Sequence, residues 1–260
     1  MKRIASRFAI EMDNIYSFVD VVLSAITLSK SRFTGIKSQK KCFITAKKLK
    51  NNIAKSGNLT VVAFDGAFLS SCAEFELCIR NLIEKYIDSA VNKCPAFNHL
   101  PKEIRDWYPV GCSNIIINLN KDKFSHITLQ AILNSIASCV NPSTQKRYSL
   151  LGEAFSDNTR NFWPNEIDDF FSKRLGIKKI WQKISRESQF QKRMGVSNAN
   201  TAENVGRKKL ETLIQRRNDI IHRGKSYYTP SDTEVKECVD YFKIFILSLA
   251  DVLEKQITAI

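Results

Sequence analysis

Apolar positions recur at helical spacing along most of the chain. The longest regular stripe lies within residues 59–92, where Phe64, Phe68, Ser71, Phe75, Cys78, Leu82 and Tyr86 follow one another at steps of three and four. That period predicts a long buried helix. Glu74, Glu76, Arg80 and Glu84 flank the stripe. Residues 4–28 carry Ile4, Phe8, Ile15, Phe18, Val19, Val22 and Ile26 in a looser version of the pattern. Two further helices close the chain. One covers about 202–222 and stops before Gly224, a residue suited to ending a helix. The other covers about 231–257, where Ser231 and Glu234 have the spacing of a capping box. Its stripe is Val235, Cys238, Val239, Phe242, Phe245, Ile246, Leu249 and Leu253.

The middle of the chain is less regular. Lys37–Lys55 is lysine-rich, with Phe43, Ile44 and Leu49 on an apolar strip. Pro95, Pro101 and Pro109 are expected to break the chain, and Ile115–Leu119 reads as a short strand or a helical turn. Helices are predicted over 127–140, 164–175 and 177–184, a polar loop over 141–162, and a basic connector over 185–200. No internal repeat is visible. The expectation is all-α: one helical-bundle domain over residues 1–260, with core helices at about 4–28, 59–92, 202–222 and 231–257 and decorations over 93–200.

Charge and cysteine content narrow the functional classes. Lys and Arg outnumber Asp and Glu by 40 to 26, and 15 basic against 4 acidic residues fall between Phe171 and Lys225. A surplus of this kind suits a polyanionic partner. The seven cysteines include no CxxC pair and mostly sit in apolar stripes, as core thiols in a reducing compartment do. With only three histidines, no metal site and no cofactor are expected. The apolar N-terminal run is interrupted by Glu11, Asp13 and Asp20. It is therefore expected to be neither a leader nor a membrane span, and the protein is expected to be cytoplasmic, with no membrane partner.

The chemistry concentrates in Arg216-Arg217-Asn218-Asp219-Ile220-Ile221-His222-Arg223-Gly224. On a helix, Leu210, Ile214 and Ile221 form an apolar line with Leu213 at its edge, and Arg217 falls within about 20° of Leu210. An arginine there needs a carboxylate, a phosphate or an open cleft, because an uncompensated buried charge costs roughly 3–5 kcal/mol. By the same reasoning, Arg217→Ala is expected to stabilise the fold. Asn218 and His222 stand four apart on a neighbouring face. His222 lies in the last turn, where the helix dipole favours imidazolium.

Arg217-Asn218-x-x-x-His222, late in a helical chain and followed by Gly224, resembles the R-x4-6-H motif of HEPN-domain ribonucleases, closest to the RiboL-PSP-HEPN type. Phe64-Asp65-Gly66-Ala67-Phe68-Leu69, with Phe75-Glu76 and Arg80 beyond, resembles the HEPN helix that carries an acidic position. The likeness covers about 59–92 and 202–257. It implies a metal-independent RNA endonuclease of the kind common in prokaryotic defence and toxin systems, with RNA as substrate and room for a cognate antitoxin or defence-system partner. It also implies a homodimer with a composite site, because the chain carries one motif. Under the resemblance, His222 is the general acid or base, Arg217 binds the scissile phosphate, and Asn218 orients His222 or the ribose. Glu76, or else Glu74, braces Arg217, and Asp219 is a second supporting acid. Arg207, Lys208, Arg216, Arg223 and Lys225 hold flanking phosphates. Two other classes stay open on the residues alone: a non-catalytic HEPN-like scaffold, and a basic helical module that binds nucleic acid without cutting.

Overall fold

The computed structural model describes residues 1–30, 41–55, 58–140, 148–157, 162–222 and 229–260. Among these residues the fold is all-α, without strands. Three long helices form its centre: α1 (Lys2–Lys30), α3 (Leu59–Lys93) and α11 (Asp232–Ala259), each packed on the other two. All seven predicted stripe residues of α3 and all eight of α11 are buried. Phe75 of α3 stacks on Phe242 of α11 at 4.1 Å and meets Phe245 edge-on at 5.4 Å. The capping box forms as predicted: Glu234 N–H donates to Ser231 Oγ, and Ser231 N–H donates to Glu234 Oε2.

α10 (Ala199–His222) lies across this centre, touching α3 and two short helices, α8 (Ile180–Ile184) and α9 (Ser188–Met194). Close approach here depends on Gly206, where a Cβ would sit 2.6 Å from the Phe190 ring. The Gly206 carbonyl accepts from the buried Tyr241 hydroxyl at 2.7 Å, fastening α10 to α11. The remaining helices are α2 (Lys41–Lys55) against α1, then α4 (Lys102–Ile117), α5 (Leu129–Val140), α6 (Glu153–Ser156) and α7 (Pro164–Leu175). The short α6 packs on both α3 and α4. Its Ser156 donates to Glu84 of α3 at 2.5 Å, and Arg174 of α7 donates to the Phe155 and Asp157 carbonyls.

Several sequence expectations change. Pro109 does not break the chain but lies inside α4, on its exposed side, where water can reach the carbonyl that the missing N–H leaves unbonded. Of the two readings of Ile115–Leu119 the helical one holds: Ile115, Ile116 and Ile117 end that helix and the next two residues form a turn. The 141–162 stretch is not simply polar loop: it contributes α6 and buries Tyr148, Phe155 and Phe162. The 185–200 connector contains α9, whose Phe190 is fully buried. Phe18 of α1 and Ile44 and Leu49 of α2 are exposed, because α1 turns Val19 and Val22 inward instead and α2 packs on α1 alone among its principal contacts. Six cysteines are free thiols, five of them buried, as core use predicts. Among the described residues there is no metal-binding cluster, and no helix is long and apolar enough to cross a membrane.

The layer outside α3 is tightly fitted at Gly111. A Cβ there would overlap the Ala154 carbonyl oxygen, the same atom that accepts from Trp107 Nε1 at 3.0 Å. Backbone cannot swing aside as a side chain can. Overpacking of this kind costs about 1–3 kcal/mol, against the ~1 kcal/mol that alanine gains over glycine inside a helix. Gly111→Ala is therefore expected to lower the melting temperature by about 2–4 °C, the shift of a net loss near 1 kcal/mol, measured by circular dichroism. A melt equal to or above wild type would contradict the fit described.

Candidate functional site

The last two turns of α10 carry Arg217, Asn218 and His222. The helix packs through Leu210, Leu213 and Ile214, and Arg217 lies within that inward arc, half-buried. In the final turn the packing side differs from expectation by one residue: Ile220 is 2% exposed and Ile221 is 46% exposed. The stripe read from the sequence continued through Ile221, but on that side solvent reaches the helix end.

The carboxylate nearest in effect to Arg217 is Glu76, which feels its charge without an ion pair or hydrogen bond between the two among the described residues. Together with Phe75, Glu76, Phe162, Ile214 and Phe242, Arg217 lines a cavity of about 10 Å³, room for at most one water. Burial pushes the Glu76 carboxyl above the usual carboxylate range, while the positive charges of Arg217 and, one turn along α3, Arg80 pull it back. Glu74 faces elsewhere, lining clefts between α1 and α3 with Glu11. Of the two acids the sequence offered, Glu76 is the one that shares a cavity lining with Arg217 and feels its charge.

The guanidinium of Arg217 also donates from Nη1 to Asn218 Oδ1 at 3.1 Å. Arg217 and His222 stand five residues apart, about 140° around the helix. Asn218, one turn below His222, bridges that angle by drawing the arginine fork toward the histidine's side. His222 itself is exposed, with no hydrogen bond or ion pair among the described residues. The result is a half-buried acid, a half-buried guanidinium, an amide and an exposed imidazole, ending at the surface. Such an array can hold an anionic group at the surface and move a proton beside it.

The outer basic residues divide. Lys208 is exposed. Arg216 donates to Glu234 Oε1 at 2.7 Å, so the same carboxylate that caps α11 also fixes α10. Asp219 accepts from Gln215 at 2.9 Å. Arg207 departs from the expected phosphate-holding role: its guanidinium is engaged by Asp168 and by Glu203 and lies over the Trp181 ring. Its neighbours on α7 and α8 explain this, and none of them was visible from α10 alone. Arg223 and Lys225 lie outside the described residues. Among residues not singled out beforehand, Phe162 closes the cavity over Glu76, and its signal was hidden in a polar stretch.

Glu76 gives a pH dependence with a definite sign. Its folded carboxyl titrates above its unfolded value. The stability it allows is complete at low pH and is lost as pH rises through the folded value. Glu76→Gln, which resembles the protonated acid, is expected to melt higher than wild type at pH 7.5 and to converge with it toward pH 4.5. Parallel melting curves at both pH values would overturn this.

An all-helical bundle whose late helix presents an Arg-Asn-x-x-x-His array is the arrangement of the HEPN class of protein. The RiboL-PSP-HEPN family model matches residues 35–255, and the chain belongs to that family. The match runs through the middle region that carries no motif as well as through α3, α10 and α11. No curated protein and no solved structure matches the chain. Membership points to a nuclease-like or RNA-related function.

Proposed function

We propose that the protein is a metal-independent RNA endonuclease of toxin or defence type. The observation that carries this reading is Arg217, with Glu76 on the same small cavity behind it and Asn218 hydrogen-bonded to its guanidinium, one turn from an exposed His222. In the reaction the 2′-oxygen of a ribose attacks the adjacent phosphorus. The 2′-O–P bond forms, the P–O5′ bond breaks, and the products are a 2′,3′-cyclic phosphate and a free 5′-OH. A base removes the 2′-OH proton and an acid supplies one to the leaving 5′-oxygen. His222 serves one of these steps, and Arg217 stabilises the charge on the equatorial phosphate oxygens.

One chain offers one such histidine, and in-line attack needs groups on both sides of the phosphorus. The economical arrangement is a two-fold homodimer that sets two α10 ends across one cleft. Sedimentation at micromolar concentration is expected to give twice the 29.7 kDa chain mass. A monomer that still cuts RNA would refute the composite cleft.

The test of function is incubation of single-stranded RNA with the full chain in excess EDTA, followed by end analysis. Cyclic-phosphate and 5′-hydroxyl ends are the expected products. Cleavage that stops on chelation and returns with a divalent metal would overturn the mechanism. Binding without cleavage would favour the scaffold alternative.

A further inference from the structure

A larger cavity, about 620 Å³, opens along α10 on the side away from Arg217. Its size is that of a small-ligand site. Gln215 and Asp219 belong to its wall, and His222 follows them on the same side of the helix, one to two turns on. The cavity is therefore continuous with the face that presents His222, within about 10 Å along the helix.

The walls have an uneven chemistry. The partly exposed Trp163 supplies aromatic surface, with the buried Phe68 behind the wall. Two of the cavity's cations are neutralised in place, Lys209 by Glu237 at 2.5 Å and Arg216 by Glu234 at 2.7 Å. Among the described residues, Glu211 has no hydrogen-bond or ion-pair partner, and Asp219 accepts only from the Gln215 amide. Lys208, at the exposed edge, has no acidic partner either. The cavity wall thus offers carboxylate acceptors, Asp219 half-buried and Glu211 exposed, beside an aromatic face, with one spare cation at the rim.

A phosphate does not suit this interior, where acidic groups outnumber the cations still available. A basic peptide would suit the acids, but a chain of net charge +14 repels it before contact. A neutral ring with N–H donors fits both the aromatic wall and the acceptors. Single-stranded RNA bases are bound in this manner, stacked on aromatic side chains and hydrogen-bonded along their Watson–Crick edge. Guanine alone presents two adjacent donors, N1–H and the 2-amino group, to one carboxylate. We infer that this cavity is a guanine-selective base subsite, with Asp219 accepting from the Watson–Crick edge, Trp163 stacking on the ring and Lys208 holding the attached phosphate. The inference rests on the RNA reading above and extends it to sequence preference.

The experiment is calorimetric titration of the full chain with 5′-GMP, AMP, CMP and UMP, repeated on Asp219→Asn, Trp163→Leu and Lys208→Glu. GMP is expected to bind at least about tenfold tighter than UMP. Asp219→Asn is expected to remove that preference, since an amide cannot accept both donors. Trp163→Leu is expected to weaken all four nucleotides by about tenfold, the scale of one lost base stack. Lys208→Glu is expected to weaken all four without changing their order. Equal or absent binding of the four nucleotides, a guanine preference that survives Asp219→Asn, or capture of an arginine-rich peptide in place of GMP would overturn the inference. Should Trp163→Leu fail to fold, Asp219→Asn decides alone, because Asp219 lies at the surface of α10. The two readings fail separately. GMP binding through Asp219 without RNA cleavage removes the nuclease and keeps the subsite; cleavage with uniform base use and no GMP binding does the reverse.

Discussion

Replacing His222 by alanine is expected to lower cleavage of single-stranded RNA in excess EDTA by at least about 10²-fold, the lower end of what a positioned acid or base contributes, and to leave the melting temperature where it was. Both halves of this expectation come from the same placement. The imidazole stands exposed at the end of α10, with no hydrogen bond or ion pair among the described residues, so its loss opens no cavity and strands no buried group. The proton carrier disappears while Arg217, Asn218 and Glu76 remain in position. The assay is cleavage rate alongside a thermal melt of each protein. A folded His222→Ala that cuts at the wild-type rate would remove the catalytic role and leave a solvent-exposed helix-end histidine.

Arg217→Ala is expected to abolish cleavage and lower stability at neutral pH, and Arg217→Lys to restore the melt more than it restores activity. From the sequence, removing a charge from an apolar stripe was expected to stabilise the fold. The geometry reverses that sign. Arg217 is one of the two charges that pull the Glu76 carboxyl down against the effect of burial. Without it Glu76 keeps its desolvation cost with only Arg80 beside it, and its titration moves further up. The stability it allows is still complete at low pH, but more of it is lost, over a wider range, as pH rises. Lysine returns a positive charge to Glu76, but a point charge lacks the planar fork that grips a phosphate and reaches Asn218 at once. The double variant Arg217→Ala/Glu76→Gln is expected to recover the melt and remain inactive. Melting curves at pH 5 and 7.5 for the single and double variants check this, with cleavage in EDTA as the second readout. Recovery of activity in the double variant would show that Arg217 acts through Glu76 rather than on the phosphate.

Much of this protein was determined locally. The stripes of α3 and α11 are periodic because each helix buries one side along its whole length, so spacing alone named their core residues. The capping box at Ser231 is a contact between residues three apart, and the chain states it outright. The Arg217-Asn218-x-x-x-His222 spacing is equally local, and with helix geometry it already placed the arginine inward and the histidine on another face.

Tertiary packing decided the rest, wherever a side chain's fate depends on a neighbour distant in the chain. Glu76 and Glu74 are two residues apart and chemically identical, and only the crossing of α10 over α3 selected Glu76. Arg207 looks like any phosphate-binding arginine until α7 brings Asp168 to it. Pro109 reads as a helix breaker, yet it sits on the solvent side of α4, where an unbonded carbonyl costs little. Phe162 and Trp163 sit in a stretch without periodicity and acquire their places, one over Glu76 and one in the wall of the larger cavity, from the helices around them. A sequence records the spacing of residues along one helix. Which carboxylate meets which guanidinium is set by helix crossings, and those depend on the shapes of all the packed faces together.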